Sequence, residues 1–395
     1  MFNEVGEGMV KGTSSKEVKK INRNRVFRYL NTVAEASMPE IAAALRMSGP
    51  TVLTIVGELC AAGVVEEVGE LASTGGRKAK AYGVIKDAFL FLGIDITRNH
   101  IGIVSTDFSE DVVAYRRQRR RFANTEAYRQ VLGEELKSFI ADYQIDESKI
   151  RGIGVAIPGI VDANRNVIKK SHTLQITEEL TADDLCKYID FPCILANDAN
   201  AGAIAECAGS NRNESLIYLS LSNTVGGAIL LETGANNQGG LGYYRNMYVG
   251  DNWEGGEFGH VVIRPEGRTC YCGKKGCLDP YCSALVLASM EDGKLEEFFP
   301  KLEAGSKKHQ QVWQEYLDNL AYAVDMLVMS MDCDIVLGGY VGSFMEPYLE
   351  DFKAYVEQRI IFKKKKDFLR TCKYKVEAAA LGAAVFLVEE AILKI

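Results

Sequence analysis

No apolar run in the sequence approaches the ~20 residues that a membrane-spanning helix requires, and no charged-then-apolar signal pattern opens the chain. The expectation is a cytoplasmic protein without a membrane partner. No Pro- or Ser-rich linker interrupts residues 87–395, so that stretch reads as one body. Residues 1–14 lack periodicity and are dotted with glycine, which reads as a flexible N-terminal arm. Cysteine is plentiful, but six of the ten (Cys60, Cys186, Cys193, Cys207, Cys333, Cys372) stand singly in apolar or helical contexts. That is the pattern of buried thiols in a reducing compartment, not of a disulfide framework. Beyond the first part of the chain net basic charge is absent, and acidic residues outnumber basic ones. Residues 1–90 carry 12 Lys and Arg against 10 Asp and Glu, leaving a net −9 for the rest. An acidic body does not bind nucleic acid unaided, whereas the basic portion of the N-terminal part can. The basic run Arg116–Arg121 accordingly reads as the exposed end of a strand on a solvated face.

Residues 15–86 show a compact sequence of signals. A helical pattern from Ser15 to Val33 puts Val18, Ile21, Val26, Tyr29 and Leu30 on one side and Lys16, Lys19, Lys20, Arg23, Arg25 and Arg28 on the other. A second short helix spans Pro39–Leu45, with proline in its first turn. Ser48 can cap a third that runs to about Ala62 and buries Val52, Ile55, Val56 and Leu59. Val64–Val68 and Lys80–Val84 read as two strands around a turn at Ser73–Lys78. Three helices and a hairpin in that order predict a winged helix-turn-helix domain, with the third helix in the major groove of operator DNA. Thr51, Thr54, Arg77 and Lys78 are the candidate DNA contacts. The third helix lacks outward Arg, Lys, Asn or Gln, the strongest bidentate base readers, so phosphate contacts and DNA shape carry much of the expected recognition. A small helical docking module is the competing reading.

One stretch organises the remainder: Gly256-Glu257-Phe258-Gly259-His260, followed by Cys270-Tyr271-Cys272-Gly273-Lys274-Lys275-Gly276-Cys277-Leu278-Asp279. Three cysteines this close cannot form a sensible set of local disulfides, but with His260 they complete the Cys3His set of a tetrahedral zinc site. Gly273 and Gly276 let the backbone turn tightly enough for the sulfurs to converge. A four-ligand site with no open position is structural, and this one would aim Glu257 and Asp279. The alternative is a surface turn with free thiols.

From Ala88 the pattern is strand and turn: Phe89–Ile96, Ile101–Thr106 and Asp111–Tyr115 as a meander, a helix over Thr125–Tyr143, then strands at Ile150–Ile157, Cys193–Ala196, Leu216–Ser222 and Asp334–Leu337. Functional-looking turns at strand ends (Asp95, Asn197-Asp198, Thr224–Gly227, Gly338-Gly339) fit an α/β class. In order and spacing, Pro158–Asp162, Asn197–Asn200, Glu257–His260 and Cys270–Asp279 resemble the motifs of the ROK (repressor, open reading frame, kinase) family. The resemblance runs from about residue 15 to the C-terminus, and the N-terminal part is similar to the family's transcriptional-regulator branch. It implies an α/β two-lobed sugar-kinase/actin-like (ribonuclease H-like) body over residues 87–395, preceded by an α+β winged helix-turn-helix domain over 15–86. The lobe boundary is expected near residue 200, with the C-terminal helix returning to the first lobe.

The resemblance also implies that Asn197, Asp198, Glu257, His260 and Asp279 line a sugar pocket, and that Asp198 is the catalytic base in kinase members. Asp279 stands where the family usually has Glu, and Ser171-His172-Thr173 replaces a Pro-Asn-containing sugar segment. The first phosphate turn, Asp95–His100, has none of the glycines that admit ATP phosphates, so ATP binding and enzymatic activity are not expected. The reading is a sugar-responsive repressor acting as a homodimer or higher homo-oligomer, with structural Zn2+, operator DNA and a sugar effector as partners. The alternative is an ATP-dependent hexose kinase with an accessory DNA-binding domain.

Overall fold

The computed structural model describes residues 15–71, 79–208, 215–231, 247–362, 364–365 and 367–395. Residues 1–14 and the turn carrying Arg77 and Lys78 lie outside the described residues. The chain forms two compact units; among the described residues the first takes those up to Ala88 together with Ala391–Ile395, and the second takes the rest.

The first unit contains helices α1 (Ser15–Thr32), α2 (Met38–Leu45) and α3 (Gly49–Ala61), with strands β1 (Ala36–Ser37), β2 (Val65–Leu71) and β3 (Ala79–Val84). Local chemistry sets the helix ends. Ser37 and Glu40 form a reciprocal capping box on α2, and Arg46 ends it in the left-handed conformation. Ser48 caps α3 by accepting from Thr51 N–H. Val26, Phe27, Leu30, Ile41, Val52, Ile55, Val56 and Leu59 interlock as the core. Val18, expected on the apolar side of α1, is 44% exposed. β2 and β3 pair antiparallel with a bulge between Glu67 and Gly69. β1, too short to leave a periodic signal, adds to β3 through Ala36 and Ser37.

The second unit holds two five-stranded sheets of like topology. In the first lobe these are β4 (Leu90–Ile96), β5 (His100–Thr106), β6 (Ala114–Arg119) and β7 (Ile150–Ile157), then, after the small sheet of β8 (Ile160–Asp162), β9 (Val167–Lys170) and β10 (Leu180–Thr181), β11 (Cys193–Asn197). The order is β11-β7-β4-β5-β6. The second lobe repeats it as β14-β13-β12-β15-β16, with β12 (Leu216–Leu221), β13 (Val225–Leu230), β14 (Met247–Tyr248), β15 (Asp334–Gly338) and β16 (Leu369–Thr371). Each lobe is thus an antiparallel meander with parallel strands added beside its first strand, a ribonuclease H-like arrangement. Helix α4 (Glu126–Asp142) packs on the first sheet; α5 (Ala182–Leu185) and α6 (Asp198–Cys207) flank β11. The second lobe adds α7 (Asp279–Cys282), α8 (Ala284–Ala288), α9 (Leu295–Glu303), α10 (Lys307–Met331), α11 (Gly339–Gly342) and α12 (Leu349–Glu357), before α13 (Ala378–Lys394).

β4 is buried at every position, as expected of a strand covered on both faces. α13 covers one face at very short range. A Cβ on Gly93 would lie 1.8 Å from the Ala380 carbonyl oxygen and one on Gly154 2.0 Å from that of Ala383, so only glycine permits this approach. The last strand of the meander lies later than the pattern indicates, at Ala114–Arg119, because Ser105 pairs with Ala114 and a turn occupies the residues between. Arg116 and Arg117 therefore sit within the strand, not on a solvated end. Arg116 donates to Asp142 at 2.6 Å and to the Glu135 carbonyl at 2.6 Å, and its side chain is only 16% exposed.

Candidate functional site

The loop after β14 is built by short-range backbone bonds. Ile263 N–H donates to Gly276 O, Gly276 N–H to Arg268 O, Leu278 N–H to Val261 O and Cys270 N–H to Lys274 O, each at 2.8 Å. Gly276 has φ +79°, and a Cβ there would fall 1.8 Å from the Arg264 carbonyl oxygen, so the fold of the loop demands glycine. The ligand atoms of His260, Cys270, Cys272 and Cys277 consequently lie within 4.8 Å of one another. Cys272 Sγ is 3.8 Å from Cys277 Sγ, and Cys270 Sγ is 3.6 Å from His260 Nδ1. Cys282 belongs elsewhere, buried with its sulfur 3.8 Å from the Tyr316 carbonyl. Burial, with Lys274 and His172 nearby, holds the His260 pKa below its ordinary value, which favours the neutral imidazole that ligates metals.

The second ring nitrogen of the same imidazole faces away from the cysteines, toward Tyr271 and Glu257. His260 Nε2 is 3.2 Å from the Tyr271 hydroxyl and 4.0 Å from Glu257 Oε2. Tyr271 stacks on the exposed His172 at 4.0 Å and 17°. Sequence reasoning missed Tyr271, although its place between two ligating cysteines is a signal that its orientation is fixed by them.

Asp198 opens α6 directly after β11, where its Oδ1 accepts from Ala199 N–H at 2.9 Å. Burial raises its pKa to about 6 against the pull of that N–H. Burial also raises Glu257, with the charges of Asp198 and Glu254 adding to it. Asn197 caps α6 by accepting from Asn200 N–H at 2.9 Å and donates from Nδ2 to the Gly159 carbonyl at 2.9 Å. Its amide therefore ties α6 to the turn after β7. Asp279 is buried, raised to about 6 by that burial, and accepts from Val225 N–H at 2.7 Å. That bond joins the end of the cysteine loop to the start of β13.

Asp95, at the end of β4, is pushed up to about 7 by burial and by Asp198, with Arg117 opposing. Arg117 donates to the Tyr340 hydroxyl at 3.1 Å and to His100 Nδ1 at 3.2 Å. Tyr340 follows Gly338-Gly339 in the second lobe, so this contact spans the two lobes. The cleft is lined by Asp95, Arg98, Asp198, Tyr218, Ser222, Thr224, Tyr340 and Lys375 among others. The turn after β4 remains a tight hairpin closed by Thr97 and His100, with Thr97 Oγ1 accepting from His100 N–H at 3.0 Å. In the first unit, Thr54 is exposed and Thr51 half-buried on α3.

The body is thus two-lobed, with repeated ribonuclease H-like sheets, a cleft lined by the carboxylates of Asp95 and Asp198, and a Cys3His loop. The sequence model of the ROK family matches residues 91–390, and the chain belongs to that family. It is 25% identical over 272 residues to the xylose repressor of Bacillus subtilis, covering 68% of this chain and 67% of that one. Among solved structures, a ROK-family transcriptional regulator described as a homologue of the Escherichia coli MLC protein has a TM-score of 0.73 at 19% identity, over 95% of this chain and 97% of that one. A ROK-family glucokinase from Streptomyces griseus, in complex with glucose and AMPPNP, has a TM-score of 0.61 at 19% identity, over 75% of this chain and 98% of that one. No helix among the described residues is long and apolar enough to cross a membrane.

Proposed function

We propose that the chain is a sugar-responsive transcriptional repressor of the cytoplasm, binding operator DNA through a winged helix-turn-helix over residues 15–86 and a carbohydrate in the cleft. The observation that carries this reading is the double-sided His260. One ring nitrogen joins the cysteine cluster and the other faces Glu257 and Tyr271.

The donor set suits a structural zinc. Zn–S bonds of about 2.3 Å make the edges of a tetrahedron about 3.8 Å, which matches the spacing between Cys272 and Cys277. With the ion bound, His260, Cys270, Cys272 and Cys277 would hold the loop and fix the Nε2 face of His260. Asp198 and Glu257 would accept hydrogen bonds from vicinal sugar hydroxyls while His260 supplies a further polar contact. Asp279 ties the end of the cysteine loop to Val225, and Asn197 fixes the start of α6. The order of three helices and an antiparallel strand pair supports the winged-helix assignment. A repressor reading two half-sites acts as a homodimer.

A sugar kinase is the second reading, favoured by Asp198, whose raised pKa suits a general base. Against it, Tyr340 and Arg117 meet across the corner where nucleotide phosphates would enter, and the Asp95–His100 turn has no glycine. Thermal unfolding against a panel of pentoses, hexoses and amino sugars, with and without MgATP, separates the readings, because a ligand of the native state raises the transition. The repressor reading requires a stabilising sugar, no effect of ATP and no phosphorylated product. Turnover of about 1 s⁻¹ or more, in the ordinary enzyme range, would replace it with the kinase.

A further inference from the structure

The outward face of α3 carries almost no free hydrogen-bonding capacity. Pro50, Leu53, Thr54 and Gly57 follow helical spacing along it, and all four are exposed. Leu53 at its centre is 59% exposed, while Val52, Ile55, Val56 and Leu59 are buried. The polar groups beside it are already engaged. Thr54 Oγ1 donates to the Pro50 carbonyl at 3.0 Å, and Thr51 Oγ1 is 2.7 Å from Ser48 Oγ. Glu58 is bound by Lys19 and Arg23 of α1. With its proton committed to Pro50, the Thr54 hydroxyl can only accept from a partner, and what the face offers besides is apolar: the isobutyl end of Leu53 and the Thr54 methyl.

The thymine C5-methyl is the apolar feature of the major groove, and it is read by apolar side chains. We infer that Leu53, with Thr54 beside it, reads thymine methyl groups, so that operator recognition at α3 depends on thymine positions and not on hydrogen bonds to guanine or adenine edges. This rests on the reading of α3 as the helix that enters the major groove. Leu53 stands on α3 outside the buried stripe of Val52, Ile55, Val56 and Leu59, so it is not part of the unit's own core.

The test uses the full chain and a duplex it selects from a random pool. Each thymine of that duplex is replaced singly by uracil, which removes the methyl and leaves the base pairing intact. Affinities are measured at fixed salt for the wild type, Leu53→Ala and Thr54→Ser. At one or more thymines the wild type should bind the uracil duplex about fourfold more weakly, the value of burying one methyl-sized group. Leu53→Ala should bind thymine and uracil duplexes alike at those positions, with its circular dichroism and melting transition unchanged. Equal wild-type affinity for every thymine and uracil pair overturns the inference while leaving the DNA-binding reading standing. Failure to select any duplex removes both. A Leu53→Ala variant that keeps thymine preference but changes sedimentation mass also overturns it, because the face would then be a contact between protein chains.

Discussion

The buried Asp95 makes stability depend on pH in a direction opposite to that of most carboxylates. Its pKa is raised from 3.8 unfolded to about 7 folded. Between those values the unfolded chain has lost the proton and the native one retains it, so stability falls as pH rises through the window. A gap of about 3 units corresponds to roughly 4 kcal/mol across the full range, an upper figure because Arg117 and Asp198 readjust when Asp95 is altered. Asp198 and Asp279, both raised to about 6, tilt the curve the same way but finish earlier. Asp95→Asn removes the charge and nearly conserves shape, so at pH 8 the variant should be more stable than wild type by about 2–4 kcal/mol. It should also lose the slope between pH 6 and 7. Calorimetry of the full chain from pH 4.5 to 8 measures both. A wild-type transition that does not weaken from pH 4.5 to 8, or an Asp95→Asn curve parallel to it, refutes the reasoning.

Two further perturbations address the site directly. Freshly prepared protein should contain one zinc per chain by elemental analysis, and Cys272→Ser should lose it and weaken sugar binding, since the loop that aims Glu257 is then unclamped; full-length protein without stoichiometric zinc contradicts this. Asp198→Ala and Glu257→Ala should each weaken sugar binding by about 1–3 kcal/mol, the cost of leaving buried polar partners unpaired. Unchanged calorimetric affinity in both variants would move the pocket elsewhere.

What the sequence disclosed depended on how local the determining chemistry is. The cysteine cluster was legible because its ligands fall within a short stretch and its glycines permit the required turn, and the four expected donors converge. Strand ends such as Asp95 and Asn197-Asp198 were legible because apolar runs stop there. The bond from the Asn197 amide to the Gly159 carbonyl was not, because the two residues lie 38 positions apart in sequence. Arg117 and Tyr340 carry no mutual signal either, being 223 residues apart and joined only by the meeting of the lobes. The misplacement of β6 arose from the same cause: register against β5, not local pattern, chooses which residues of Asp111–Arg121 form the strand. The close seating of α13 depends on Gly93 and Gly154, which in the sequence look like weak points in otherwise apolar strands.

The central claim is that a sugar in the cleft governs DNA binding, and titration of an operator duplex at fixed salt with and without saturating sugar tests it most directly. The sugar should lower operator affinity by roughly 5- to 150-fold, or about 1–3 kcal/mol of coupling. Operator DNA should weaken sugar binding by the same factor, and Glu257→Ala should abolish the response at sugar concentrations that saturate the wild type. Equal operator affinity with and without saturating sugar in the wild type would contradict the account.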